Sequence, residues 1–146
     1  MSQASQEFDE RQIVDFNKQI VDEFRANAGK VGGMFEGKEL LILHTVGAKS
    51  GKERLSPLAF ARDGDRMVIA ASKGGAPTNP AWYHNVVANP KVTVELGTET
   101  FEATATVIAD RAERDRLYAK MIAFSEGFAE YEKKTTRVIP VIVLER

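Results

Sequence analysis

TVGAKSGKERLSPLAFARDGDRMVIAASKGG, residues 45–75, carries three strand-like stretches joined by two turns, with a third turn after the last of them. Asp63-Gly64 between two such stretches is a strong signal for a tight antiparallel hairpin, because Gly adopts the left-handed backbone that such turns require. Upstream, Gly47 and Gly51 sit among Lys49, Lys52 and Arg54, directly after the apolar run Leu40-Leu41-Ile42-Leu43. Downstream, Ser72, Lys73, Gly74 and Gly75 close the segment. The reading is strand, basic turn, strand, hairpin, strand, and a second glycine turn that carries a lysine.

The first turn invites comparison with a phosphate-binding loop, and three features exclude one. Its glycines are one residue too close together for GxxxxGK[ST], Glu53 stands where Ser or Thr should meet magnesium, and a strand containing Pro57 follows where a helix should begin. What remains is a hairpin turn able to aim backbone N–H groups and cationic side chains at a small anion. A solvated surface turn would use the same residue types, since Gly, Lys and Ser are ordinary there.

Working outward, strand signals continue at 39–46, 54–62, 66–72, 91–96, 99–108 and 137–144, the last a buried-type run with a proline irregularity. Gly97-Thr98 suits another short turn. NPAWYHNVVANP, residues 79–90, reads as a short helix capped by Asn79, with Pro80 in its first turn and Asn89-Pro90 ending it. A longer helical pattern runs over about 110–134 with Gly127 as its break. Ile13, Phe16, Ile20 and Phe24 form one stripe of an N-terminal amphipathic helix, followed by a glycine-rich flap at 32–37. Six strands with few helices predict a mainly β, α+β domain: a small barrel closed on itself, without exposed edges. The expected division is residues 1–28, the helix packed on the domain, and 29–146, the barrel.

Composition narrows the function. The chain has 146 residues, 43% hydrophobic and 28% charged, with net charge −1 and no cysteine. One ordinary soluble domain fits these numbers. Without cysteine there is no thiol nucleophile and no cysteine-ligated metal. The near-neutral charge argues against nucleic acid as a partner, and no apolar run approaches the roughly 20 residues that span a bilayer. Between Gly47 and Arg62, however, four Lys or Arg residues face one Glu. Such a local excess suits a small anionic ligand. His44 and His84 are the only histidines, one in a strand and one in the short helix, so no metal site is expected. Ser72 has no GxSxG elbow around it and is not a hydrolytic nucleophile. The expected location is cytoplasmic, and the expected state is a monomer.

The two glycine turns follow apolar strands that could lie side by side in the barrel, and one shared ligand explains both. In order and spacing, GxKSGxxRxxPL, AASKGG and NPxWYxNxxANPxV resemble the deazaflavin-dependent nitroreductase family, whose members are split-barrel reductases of the flavin-reductase and pyridoxamine-phosphate-oxidase type that use coenzyme F420, an 8-hydroxy-5-deazaflavin. The likeness runs from about residue 32 to the end of the chain. By that resemblance Lys49, Ser50, Gly51 and Arg54 hold the cofactor's phosphate and acidic tail, and Pro57 and Leu58 border the ring. Ala70, Ser72, Lys73, Gly74 and Gly75 lie at its opposite edge, and Trp82 meets ring or tail. Met34, Phe35, Phe128 and Tyr131 are the implied substrate pocket, with Tyr131 a possible proton donor on an amphipathic helix. The chain departs from the pattern at Ala48, where some members are basic, and in FSEGFAEYEKK, where some carry several tyrosines. The implied activity is hydride transfer from reduced F420 to a small electron-poor acceptor: a quinone or activated enone, ahead of a nitro compound. Alternatives are an FMN-dependent oxidoreductase of the same architecture and a noncatalytic deazaflavin carrier.

Overall fold

A computed structural model describes residues 10–32 and 39–146, the first seven of these for backbone alone. The chain runs α1 (Glu10–Ala26), β1 (Leu40–Val46), β2 (Glu53–Ala59), β3 (Ala61–Asp63), β4 (Arg66–Ala70), α2 (Ala81–Ala88), β5 (Lys91–Leu96), β6 (Glu99–Val107), α3 (Arg111–Phe124), α4 (Gly127–Lys134) and β7 (Val141–Glu145). The strands form one antiparallel sheet in the order β2-β1-β5-β6-β7-β4-β3.

The two ends of that order belong to a single stretch of chain. The predicted strand at 54–62 is interrupted only at Phe60: its first part pairs with β1, from Val46 opposite Glu53 to Leu40 opposite Ala59, and its second part pairs with β4, Ala61 opposite Val68. One bent strand therefore links the two ends of the curled sheet through the chain and not through a ladder: β2 and β3 each pair on one side only, so the barrel expected without exposed edges keeps two, and its six strands are counted as seven. β1 and β4 are not neighbours, contrary to expectation; the bent strand separates them. Since both run antiparallel to it, their C-terminal ends still point toward one end of the barrel. Pro57 is tolerated in β2 because that strand pairs on one side only.

Alternation sets the two faces. Leu41, Leu43, Met67, Ile69, Val92, Val94, Ala103, Ala105, Ile142 and Leu144 point inward with Phe60 and form the barrel core. Their neighbours Val68, Ala70, Val141 and Val143 point outward, under Leu117, Tyr118 and Met121 of α3. Leu40 and Ile42 are covered by Ile20, Val21 and Phe24 of α1. This is period-2 geometry with both faces buried on the strands that lie beneath helices. Ile13 and Phe16, predicted for the same helix stripe, have side chains outside the described residues, as does most of the proposed flap.

Three predicted boundaries move, each for a local reason. The last strand begins at Val141 rather than 137: Pro140 has no N–H to give a ladder, and its carbonyl instead accepts from Ala71 N at 2.9 Å. The helical pattern at 110–134 breaks at Ser125 and Glu126, so Gly127 starts α4 instead of dividing the helix. Asn79 does not cap α2. Pro80 stands at the cap with no side-chain bond, and Asn79 Oδ1 accepts from Arg137 Nη1 at 2.6 Å.

α1 is fastened by apolar burial and by one carboxylate. Arg25 donates to Glu95 from Nε at 3.0 Å and Nη2 at 2.6 Å, and His44 Nε2 lies 2.6 Å from the same carboxylate. Arg25 is about half exposed, which limits that pair to under about 1 kcal/mol, whereas each buried Val, Ile or Phe is worth about 1.5–3 kcal/mol. The stripe therefore holds the helix and Glu95 sets its register. Hydrogen bonds from Arg25, then from His44, hold the Glu95 carboxyl below its usual range against the opposing effect of burial. A depressed carboxyl stabilises the fold above its unfolded value and loses that contribution as pH falls through the folded value. The stability gap between wild type and Glu95→Gln, measured by urea unfolding, should accordingly shrink as pH falls below about 4.5. A gap that widened over that acid range would contradict this account.

Candidate cofactor-binding site

The basic turn is closed by its own backbone. Gly47 N donates to Lys52 O at 2.7 Å, Gly51 N to Gly47 O at 2.9 Å, and Lys52 N to Ser50 Oγ at 3.2 Å. Gly51 has φ +69°, so the tight return needs glycine there. Ser50 thus spends its hydroxyl as an acceptor inside the turn. Among the described residues no hydrogen bond takes up the backbone N–H of Lys49 or Ser50, and Lys49, Lys52 and Arg54 are exposed around them.

One residue anchors this turn to the rest of the molecule. Asn85, buried in α2, accepts from Ala48 N at 2.9 Å and donates from Nδ2 to Thr45 Oγ1 at 3.1 Å. Both ends of its amide are used. The sequence reading passed over Asn85; an amide-bearing residue in the middle of a helix, where its intrinsic propensity is poor, is the signal that could have found it. Three residues earlier on the same helix, Trp82 sits in the barrel core with Val86, 8% exposed, and plugs the barrel.

The second turn is left-handed. Ser72 has φ −78° and ψ −37°, Lys73 has φ +48°, and Gly74 and Gly75 follow at +64° and +87°. A right-handed residue followed by a left-handed one turns successive N–H groups to the same side, the concave arrangement that receives anions. No described residue accepts from the N–H of Ser72, Lys73 or Gly74. Lys73 Nζ folds onto Thr78 Oγ1 at 3.3 Å. Gly75 serves packing: a β-carbon there would come within 2.8 Å of Lys134 Cβ and 3.0 Å of the Tyr131 carbonyl. Beneath the turn, Arg137 donates from Nη2 to Ala71 O at 3.1 Å and Ser72 O at 3.0 Å, and from Nε to Ala76 O at 2.9 Å. This residue too was missed, since its partners lie about half the chain away.

Of the other predicted positions, Pro57 and Leu58 lie in β2, with Leu58 packed partly buried against the barrel core, and Ala70 ends β4 under α3. Phe128 is buried, edge-on to Tyr118 and to Tyr131 at centroid distances of 6.2 Å and 5.4 Å. Its carbonyl accepts from Tyr118 Oη at 2.6 Å, and burial pushes that phenol up to about 12. Phe128 therefore packs α4 on α3, while Tyr131 is only partly buried, with its backbone carbonyl beside Gly75 and its hydroxyl beside Gly127. Met34 and Phe35 lie outside the described residues. No group of three or more His, Asp or Glu residues that could hold a metal occurs among those described.

The described geometry is a curled antiparallel half-barrel with two anion-ready turns at one end, joined by a plug helix. Its fold is a split barrel: a structure from Listeria innocua described as a pyridoxamine 5′-phosphate oxidase, 12% identical, superposes with TM-score 0.53 over 88% of this chain and 91% of that one. The match to the F420H(2)-dependent quinone reductase family spans residues 16–146, and the chain belongs to that family. It is an oxidoreductase that uses coenzyme F420 and a small-molecule acceptor. An F420H(2)-dependent quinone reductase of Mycobacterium tuberculosis is 39% identical over 129 residues, 84% of this chain and 85% of that protein. The solved structure of an F420-H2 dependent reductase is 38% identical, with TM-score 0.67, covering 73% of this chain and 93% of that one. A further solved structure, described only as a domain-swapped dimer, is 33% identical with TM-score 0.69, covering 90% of this chain and 98% of that one. The family favours F420 over the FMN alternative, and a reductase over a carrier.

Proposed function

We propose that the chain reduces a quinone or a similarly electron-poor carbonyl compound, with F420 held across the two turns at the barrel end. The observation that carries the assignment is the pair of concave turns with unclaimed N–H groups, both fixed to the barrel, one by Asn85 and one by Arg137. Such donors suit the phosphodiester and carboxylate groups of F420. Lys49, Lys52 and Arg54 would hold the acidic tail, the Ser72–Gly75 turn would meet a second electron-rich edge, and Pro57 and Leu58 would border the ring. Bound there, reduced F420 supplies the hydride. The protein's part is to orient the cofactor, to exclude water with the apolar barrel end plugged by Trp82, and to leave one side open to the acceptor. Tyr131, whose hydroxyl lies beside Gly127 at the start of α4, is the candidate proton donor, and Tyr131→Phe separates it from water.

A monomer remains the proposed working unit, since both turns and the helix that joins them come from one chain; sedimentation tests this against the dimer described for the 33%-identical structure. None of the described helices is long and apolar enough to cross a membrane, and a cytoplasmic setting is part of the proposal. Reduced F420 mixed with the protein in a stopped-flow instrument should regain its oxidised absorbance only when a menadione-type quinone is added. Absence of acceptor-dependent return, across several quinones and enones, would overturn the enzyme assignment.

A further inference from the structure

Arg137 donates to neutral groups, four of them, and no described carboxylate pairs with it. It is partly buried, and desolvation holds its guanidinium below its ordinary value. A partly buried cation without a counter-ion favours an anion that arrives from outside. Its contacts also have a directional consequence. In a trans peptide the C=O and the following N–H point in opposite directions. Arg137 Nη2 draws in the carbonyls of Ala71 and Ser72, so the N–H groups of Ser72 and Lys73, which share those peptide planes, point away from it.

We infer that Arg137 is a positioning residue that makes the second turn an anion receptor, both by fixing the outward aim of its N–H groups and by placing a positive charge behind them. It does not touch the ligand. The anionic group it serves is one of two on the cofactor, the tail phosphodiester or the electron-rich carbonyl edge of the ring. The inference rests on the proposed binding of F420 at this end of the barrel, and is separable from the role given to Lys49 and Arg54, which lie on the other turn.

The test compares Arg137→Gln and Arg137→Lys with wild type, using F420 and a deazaflavin lacking the phosphate-bearing tail, with thermal melts to establish that each variant is folded. Arg137→Gln should weaken F420 binding about tenfold, because the turn's N–H groups lose their fixed aim and the positive charge behind them. Arg137→Lys should recover part of it, because the charge remains while the fork does not. If the loss falls on F420 and spares the tail-less compound, the anion is the phosphate; if both weaken and lysine still rescues, it is the ring edge. Folded variants that bind both compounds as wild type does would overturn the inference, as would a loss that lysine relieves no better than glutamine, since packing alone would then explain it.

Discussion

Replacing Lys49 and Arg54 together with alanine should weaken F420 binding about a hundredfold while leaving turnover near normal once cofactor saturates. A hydrogen bond to a charged group is worth roughly 1.5–3 kcal/mol, and each 1.4 kcal/mol is tenfold in affinity. Arg54 should account for the larger share, because a guanidinium can grip phosphate or carboxylate through two parallel bonds and an ammonium is a point charge. Turnover should survive because contacts to the tail are equal in ground and transition states. Added salt should weaken wild-type binding more than that of the double variant. Fluorescence titration gives the affinities and steady-state kinetics gives the turnover. Equal affinity in the double variant would make the turn plain surface, and normal affinity with lost turnover would make it catalytic.

Asn85→Leu should be the most damaging single substitution at the site. Leucine has the same branched shape but is larger and cannot hydrogen-bond: it leaves the buried Thr45 hydroxyl without its partner, worth about 1–3 kcal/mol, strains the packing around it, and releases the part-buried Ala48 N–H to water. A loss of about 2–4 kcal/mol lowers Tm on the order of 10 °C in a domain of this size. Cofactor affinity should fall as well, since the basic turn loses its tie to α2. Thr45→Val removes one of the two bonds and should cost about half as much. Calorimetry on the three proteins decides it: an Asn85→Leu variant as stable as wild type would remove Asn85 from this role.

Local chemistry made most of the fold legible. Asp63-Gly64 and Gly97-Thr98 are turns in the structure, with Gly64 and Gly97 both at φ +61°, and the alternation of Leu40 to Leu43 divides between barrel core and α1. The bend at Phe60 was not legible, because inward and outward positions alternate through it without a slip and only pairing with β1 on one side and β4 on the other reveals it. Nor were the roles of Asn85 and Arg137, whose partners lie 37 to 66 residues away; the mid-helix amide of Asn85 is a local signal, but it does not name those partners. The glycines and lysines of the turns could be read directly. What holds the turns in place is a property of tertiary contact.

The position of β7 bears on how the chain is made. It is the last strand in sequence, yet in the sheet it lies between β6 and β4 and pairs with both. During synthesis those two strands therefore emerge with unpaired backbone rims facing each other across a gap. Until residues 141–145 leave the ribosome the gap stays open, and either rim is a template for a strand of another chain. A polypeptide stalled or truncated before Val141 would lose two ladders at once, and its fate would be aggregation or degradation in place of a slightly weakened enzyme.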